Sequence, residues 1–149
     1  MKLVIQRVLQ SSVTIEGKVH GKIDHGIMVL VGFCQNDNEI IVDKLIDKMA
    51  NLRIFEDENQ KMNKSLIDVQ GQILSISQFT LYADCKKGRR PSFTDAMKPE
   101  QASSLYDYFN QKIADLGIHI EMGVFGSDMK VALVNDGPVT IILDSSILL

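Results

Sequence analysis

The sequence is poor in the residues that mark several common functions. It has two cysteines, Cys34 and Cys85, too few for a disulfide framework and suited to reduced thiols in the cytoplasm. No apolar run approaches the roughly 18 residues that span a bilayer. Met1-Lys2-Leu3-Val4-Ile5-Gln6-Arg7 meets charge too soon for a signal peptide. His20, His25 and His119 lie far apart, with no cysteine or carboxylate at ligand spacing, so no metal site is expected. Neither a Walker loop nor a Gly-x-Gly-x-x-Gly element occurs, so no cofactor is indicated. Positive charge is not in excess. A net charge of −3 argues against a protein that coats nucleic acid without specificity.

What is there reads as one domain over residues 1–149, long enough to bury a continuous core. The N-terminal third is β-rich: Leu3-Val4-Ile5, Val8-Leu9 and Val13-Thr14-Ile15, then a turn at Glu16-Gly17 into Lys18-Val19-His20. Ile27-Met28-Val29-Leu30-Val31 is apolar enough to be a strand buried on both faces. Asn36 is a candidate helix cap with Glu39 as its reciprocal partner, and Ile41, Leu45, Met49 and Leu52 form the helix's apolar stripe. Arg53-Ile54-Phe55 should return as strand, followed by a polar connection, Glu56–Lys61. Lys98-Pro99-Glu100 opens a second helix with the stripe Ala102, Leu105, Phe109, Ile113, Leu116 and a stop at Gly117. Three strands close the chain, in Ile118–Met122, Lys130–Val134 and Val139–Leu143. The expected class is α+β: mostly antiparallel, barrel-like sheet with two main helices.

Chemistry concentrates in two stretches. The first is Ser77-Gln78-Phe79-Thr80-Leu81-Tyr82-Ala83-Asp84, where an apolar strand runs into hydrogen-bonding side chains. Behind it come Lys86, Lys87, Arg89 and Arg90, four of the chain's 16 Lys and Arg residues, then Pro91 and Phe93. Charge beside an aromatic suits nucleic-acid contacts, although short basic runs are often only solvated. Cys85 has cationic neighbours but no general base, and reads as incidental. Ser77 and Thr80 also lack a local base. In a straight strand Gln78 and Thr80 share one face and Ser77 and Phe79 the other, so backbone N–H groups are the more economical donors to a single ligand. A core strand without chemistry is the competing reading. The second stretch is Asn135-Asp136-Gly137-Pro138-Val139-Thr140. It reads first as a turn between two strands, but a Gly-Pro bond can adopt cis and would then fix two carbonyl oxygens.

Taken together, these stretches resemble the D-aminoacyl-tRNA deacylases. Lys87-Gly88-Arg89-Arg90-Pro91-Ser92-Phe93 belongs to the match, with weaker support from Gln6-Arg7-Val8, Asn51–Phe55, Met62-Asn63 and Gly123-Val124-Phe125-Gly126. The resemblance runs from end to end. It implies a cytoplasmic proofreading hydrolase that needs no cofactor and cleaves D-amino acids, and mischarged glycine, from the 3′ end of tRNA. It further implies a homodimer with a cross-subunit active site, and neither DNA nor membrane as a partner. Carried over, Ser77, Gln78 and Phe79 line the reacting carbonyl through backbone groups, and Thr80 is a candidate nucleophile. Gly137 and Pro138, within Asn135–Thr140 (Asn135, Val139 and Thr140 included), reject L-amino acids from the partner's pocket. Phe125 and Met129 build the terminal adenosine pocket, and Arg7 braces the Gly-Pro segment. The basic run is assigned to tRNA backbone. Ser127, where many relatives have alanine, departs from the pattern near the adenosine pocket. Two other classes stay open: a non-catalytic RNA-binding module, and a small-ester hydrolase using Thr80.

Overall fold

Apolar residues at Leu3, Ile5, Val8 and Val13, all fully buried, draw residues 2–15 into one long strand rather than three short ones. The computed structural model describes residues Met1–Leu149. In chain order the elements are β1 (Lys2–Ile15), β2 (Lys18–Ile23), β3 (Gly26–Gly32), α1 (Glu39–Asn51), β4 (Phe55–Glu56), β5 (Met62–Lys64), β6 (Gln72–Ser77), α2 (Pro99–Asp115), β7 (Ile120–Met122), β8 (Lys130–Asp144) and the short α3 (Ser145–Leu148). A 3-10 turn, Phe79–Tyr82, follows β6.

The main sheet has the order β2-β1-β3-β6-β7, with β8 also on β1. β1 pairs antiparallel with β2, β3 and β8, whereas β3–β6 and β6–β7 are parallel. The sheet curls until β2 comes up against β7, giving the barrel-like form expected for this α+β chain. β3 is buried on both faces, as its unbroken apolar run requires. Ile27, Val29 and Val31 join the larger core under α1 and α2, and Met28 points the other way into a second cluster with Val8, Val13, Ile23, Leu74 and Ile76.

Several local expectations change. Asn38, not Asn36, caps α1, its side chain accepting from the Ile41 N–H at 3.2 Å; such a cap contributes about 1 kcal/mol. Asp37 is instead drawn inward, where its carboxylate pairs with the Met1 α-ammonium at 2.5 Å and accepts from the Cys34 N–H. On α1, Val42 and Ile46 are more deeply buried than Ile41 or Leu52. On α2, Leu116 is 56% exposed, and Tyr106 and Asn110 are buried in its place. Arg53 and Ile54 stay outside the short β4, which pairs with an unanticipated strand, β5.

Two corrections bear on function. The chain leaves strand geometry at Ser77 and enters the 3-10 turn, so the face-sharing argument for Ser77 through Thr80 does not apply. The Gly-Pro segment is not a turn between two strands either. It lies inside β8, which runs unbroken past it.

Candidate functional site

Gln78 sets the geometry of the first corner. Its N–H donates to Val31 O at 2.7 Å, continuing the β3–β6 pairing by one residue before the chain turns. Leu81 N–H then returns to Gln78 O and Ala83 N–H to Thr80 O, closing the turn. The first N–H groups of such a turn, at Phe79 and Thr80, have no acceptor within it. Phe79 lines the adjoining cavity, and an N–H left free in this way can donate to an anionic oxygen placed there. The Gln78 amide donates to Thr80 Oγ1 at 2.6 Å, which makes the threonine hydroxyl a held acceptor and not a group beside a base.

Gly32 is why the turn can sit there. A Cβ built on Gly32 would lie 2.9 Å from Gln78 O and 3.1 Å from Leu81 Cβ. Gly32→Ala should therefore push the turn off β3. A displacement of this kind costs up to about 10²-fold in rate at a positioned site. The expected result is a loss of about tenfold or more in kcat/KM with the far-UV CD spectrum unchanged.

Ser77, Gln78 and Phe79 line one cavity of about 1000 Å³, together with Phe125, Met129 and the departing Ser127. Its remaining walls are mostly apolar, among them Met28, Leu30, Ile76, Phe93, Met97, Val131 and Leu133. Tyr106 fastens two walls to each other. Buried in α2, it donates to Ser75 O in β6 at 2.8 Å, and its ring lies 6.2 Å from that of Phe125. Burial pushes its phenol up, partly offset by the hydrogen bond at Ser75, so it stays a neutral donor. The sequence reading missed Tyr106. Its spacing of four from Ala102 was the signal that could have found it.

The second corner is built on β1 and β8. Gln6 faces Thr140 and Val8 faces Asn135, so Asp136, Gly137, Pro138 and Val139 all stand opposite Arg7 alone. That surplus makes an outward bulge. The Gly137-Pro138 bond is cis and both residues are exposed. Arg7 is only 5% exposed and holds the bulge from below. Its Nε donates to Asp136 O at 3.0 Å, and its Nη1 to Ile54 O at 2.6 Å. The Asp136 carboxylate, unremarked in the sequence, lies 3.4 Å from Arg7 Nε and 3.9 Å from His25 Nε2. Val139 packs on the main core, and Thr140 donates to Gln6 Oε1 at 2.6 Å.

The structure thus brings Ser77, Gln78, Phe79, Phe125 and Met129 together. It does not bring Arg7 or Asn135–Thr140 into that cavity, nor the Thr80 side chain. Lys86, Lys87, Arg89 and Arg90 stay exposed on the loop between Asp84 and Ser92, whose backbones pair with each other at 2.7 and 2.9 Å. Cys85, on the same loop, is free and exposed. No helix is long and apolar enough to cross a membrane.

Residues 4–144 match the family model described as D-Tyr-tRNA(Tyr) deacylase. A D-aminoacyl-tRNA deacylase of Bacillus cytotoxicus is 55% identical over 145 residues, covering 97% of this chain and 99% of that protein. One from Bacillus anthracis is 54% identical over the same share of both chains. Among solved structures, a protein titled c-Myc DNA unwinding element binding protein superposes with TM-score 0.91 at 42% identity, covering 97% of this chain and 98% of its own. A probable eukaryotic D-amino acid tRNA deacylase has TM-score 0.83 over 95% of this chain, and at 17% identity it speaks to the fold alone.

Proposed function

The chain belongs to the D-Tyr-tRNA(Tyr) deacylase family, and from that premise we propose that it hydrolyses the ester between a D-amino acid, or mischarged glycine, and the 3′ end of tRNA. The observation that carries the reading is the single cavity shared by the Ser77-Gln78-Phe79 corner and the Phe125–Met129 wall. Its apolar wall suits the terminal adenosine, and the N–H groups at the start of the turn suit the oxyanion formed when water adds to the ester carbonyl. D-Tyr-tRNA and L-Tyr-tRNA incubated with the protein decide the matter. Loss of the D-ester alone supports the reading, and survival of both esters sinks it.

Chirality is assigned to the Gly137-Pro138 bulge. Because it is exposed and does not line its own chain's cavity, we assign it to the cavity of a second copy in a homodimer. There its carbonyl oxygens would hold the α-amino group and leave an L side chain no room. Sedimentation at micromolar concentration should give a mass twice the chain's 16.7 kDa. A monomer that retains chiral deacylation would overturn this part alone.

Thr80 is not the nucleophile in this scheme. Its Oγ1 accepts from Gln78, and no base is hydrogen-bonded to it. Positioning would do the work, with the ribose 2′-hydroxyl of the substrate helping to activate water. Thr80→Val should keep deacylation within about tenfold, because a general-base or nucleophile role would cost about 10²–10⁴ or more. Complete loss in a folded, tRNA-binding variant would point to an acyl-threonine and to the small-ester hydrolase reading.

A further inference from the structure

We propose that Phe93, set against Phe79 at the cavity rim, is a stacking platform for the unpaired base that precedes the terminal nucleotide of an RNA 3′ end. This rests on the reading of tRNA as substrate and adds a second nucleotide subsite to it. Both phenyl rings line the cavity, yet Phe79 is 57% and Phe93 38% exposed. Their centroids are 5.2 Å apart and their planes meet at 70°. In an edge-to-face pair at most one face of the four is used, and rings this exposed have π-surface left to take a base.

The platform is built rather than incidental. The Asp84–Ser92 pairing closes the preceding loop and delivers Phe93 directly from it. Behind Phe93 the chain is fixed by Ala96 N–H to Phe93 O at 3.1 Å and Met97 N–H to Phe33 O at 2.9 Å. The Gln35 side-chain amide donates a hydrogen bond to Thr94 O at 3.2 Å and adds a third tie. Held this way, the ring loses little further freedom when a base settles on it.

Charge names the occupant. The same loop carries Lys86, Lys87, Arg89 and Arg90, all exposed. An aromatic face beside a cationic strip matches a base with its phosphate, whereas an aromatic amino-acid side chain such as tyrosine would use the face and leave the cationic strip without a partner. Space agrees with this. A cavity of about 1000 Å³ is at the top of the range for small-ligand sites, larger than one aminoacylated nucleoside needs. With the terminal nucleoside against Phe125 and Met129, the rim at Phe79 and Phe93 is left for its neighbour.

The test is a binding cycle that needs no hydrolysis. An uncharged hairpin RNA ending in CCA is titrated at fixed salt by fluorescence anisotropy, beside the same hairpin with an abasic penultimate nucleotide. Wild-type protein should bind the abasic RNA about tenfold more weakly, the size of one base–aromatic stack. Phe93→Ala should bind the intact RNA about tenfold more weakly and show no further loss with the abasic one. Phe93→Leu, which keeps apolar bulk without a π-face, should behave like Phe93→Ala, and Phe93→Tyr like wild type. Additive losses, an unaffected Phe93→Leu, or no RNA binding at all would each overturn the proposal. A protein that passes this cycle but leaves D-Tyr-tRNA intact would refute the deacylase reading and keep the platform.

Discussion

Arg7→Met should lower the stability of the protein by about 3 kcal/mol, because two backbone carbonyls lose a charged donor at about 1.5–3 kcal/mol each before relaxation. For a chain of this size that is a fall of about 6–12 °C in the thermal midpoint. Methionine keeps most of the apolar stem, so the loss comes from the guanidinium. Three groups are abandoned together: Ile54 O, Asp136 O and the half-exposed Asp136 carboxylate. Glu56 contributes little, at 4.0 Å and half exposed, as a loose surface pair should.

Activity should fall further than stability does. Asp136 to Val139 have no registered partner on β1, so the regular ladder does not position them. Without the guanidinium the bulge is free to sag by an ångström or so, which is worth up to about 10²-fold in a positioned reaction. Arg7→Lys separates charge from geometry. A single ammonium cannot reach Ile54 O and Asp136 O from a fork it does not have, so the lysine variant should recover part of the stability and little of the rate. Urea unfolding and kcat/KM for D-Tyr-tRNA measure the two. Full activity in a destabilised Arg7→Met would remove the bulge from the site.

How far this was legible in the sequence depends on the range of the interaction. The Ile27–Val31 run announces a doubly buried strand because burial on both faces leaves no room for alternation. The α2 start is legible because Pro99 can sit nowhere else in a helix so cheaply. Asn36 and Asn38 are equally good caps locally, and Asn38 wins because Asp37 is committed to Met1 and Cys34 across the fold. Strand parity failed at Ser77–Thr80 because a contact with β3 at Gly32, distant in sequence, replaces the strand by a turn. The Gly-Pro segment looks like a turn for the same reason. Only the register of β1 shows that four residues are extruded from one continuous strand.

Gly137→Ala tests the bulge from its other side. Gly137 has φ +121°, a region that an L side chain enters at about 1–3 kcal/mol. A Cβ there would also lie 3.1 Å from Arg7 Nη2 and from Val139 Cγ2, and 3.2 Å from Val139 N. Arg7 cannot yield, since Ile54 O and Asp136 O hold its guanidinium, and Val139 is packed on the core. The bulge itself must move. Stability should drop by about 2 kcal/mol, within the cost of the backbone conformation alone. Deacylation of D-Tyr-tRNA should drop about 10²-fold if, as proposed, these carbonyls receive the α-amino group, because they no longer converge. Selectivity separates this from general damage. A widened gap admits the L side chain, so the ratio of D- to L-Tyr-tRNA turnover should fall more steeply than the RNA affinity, which is proposed to depend on Phe93 and the loop at 86–90. Equal losses in rate and RNA binding, with the D-to-L ratio unchanged, would mean that Gly137 serves folding and that chirality is read elsewhere.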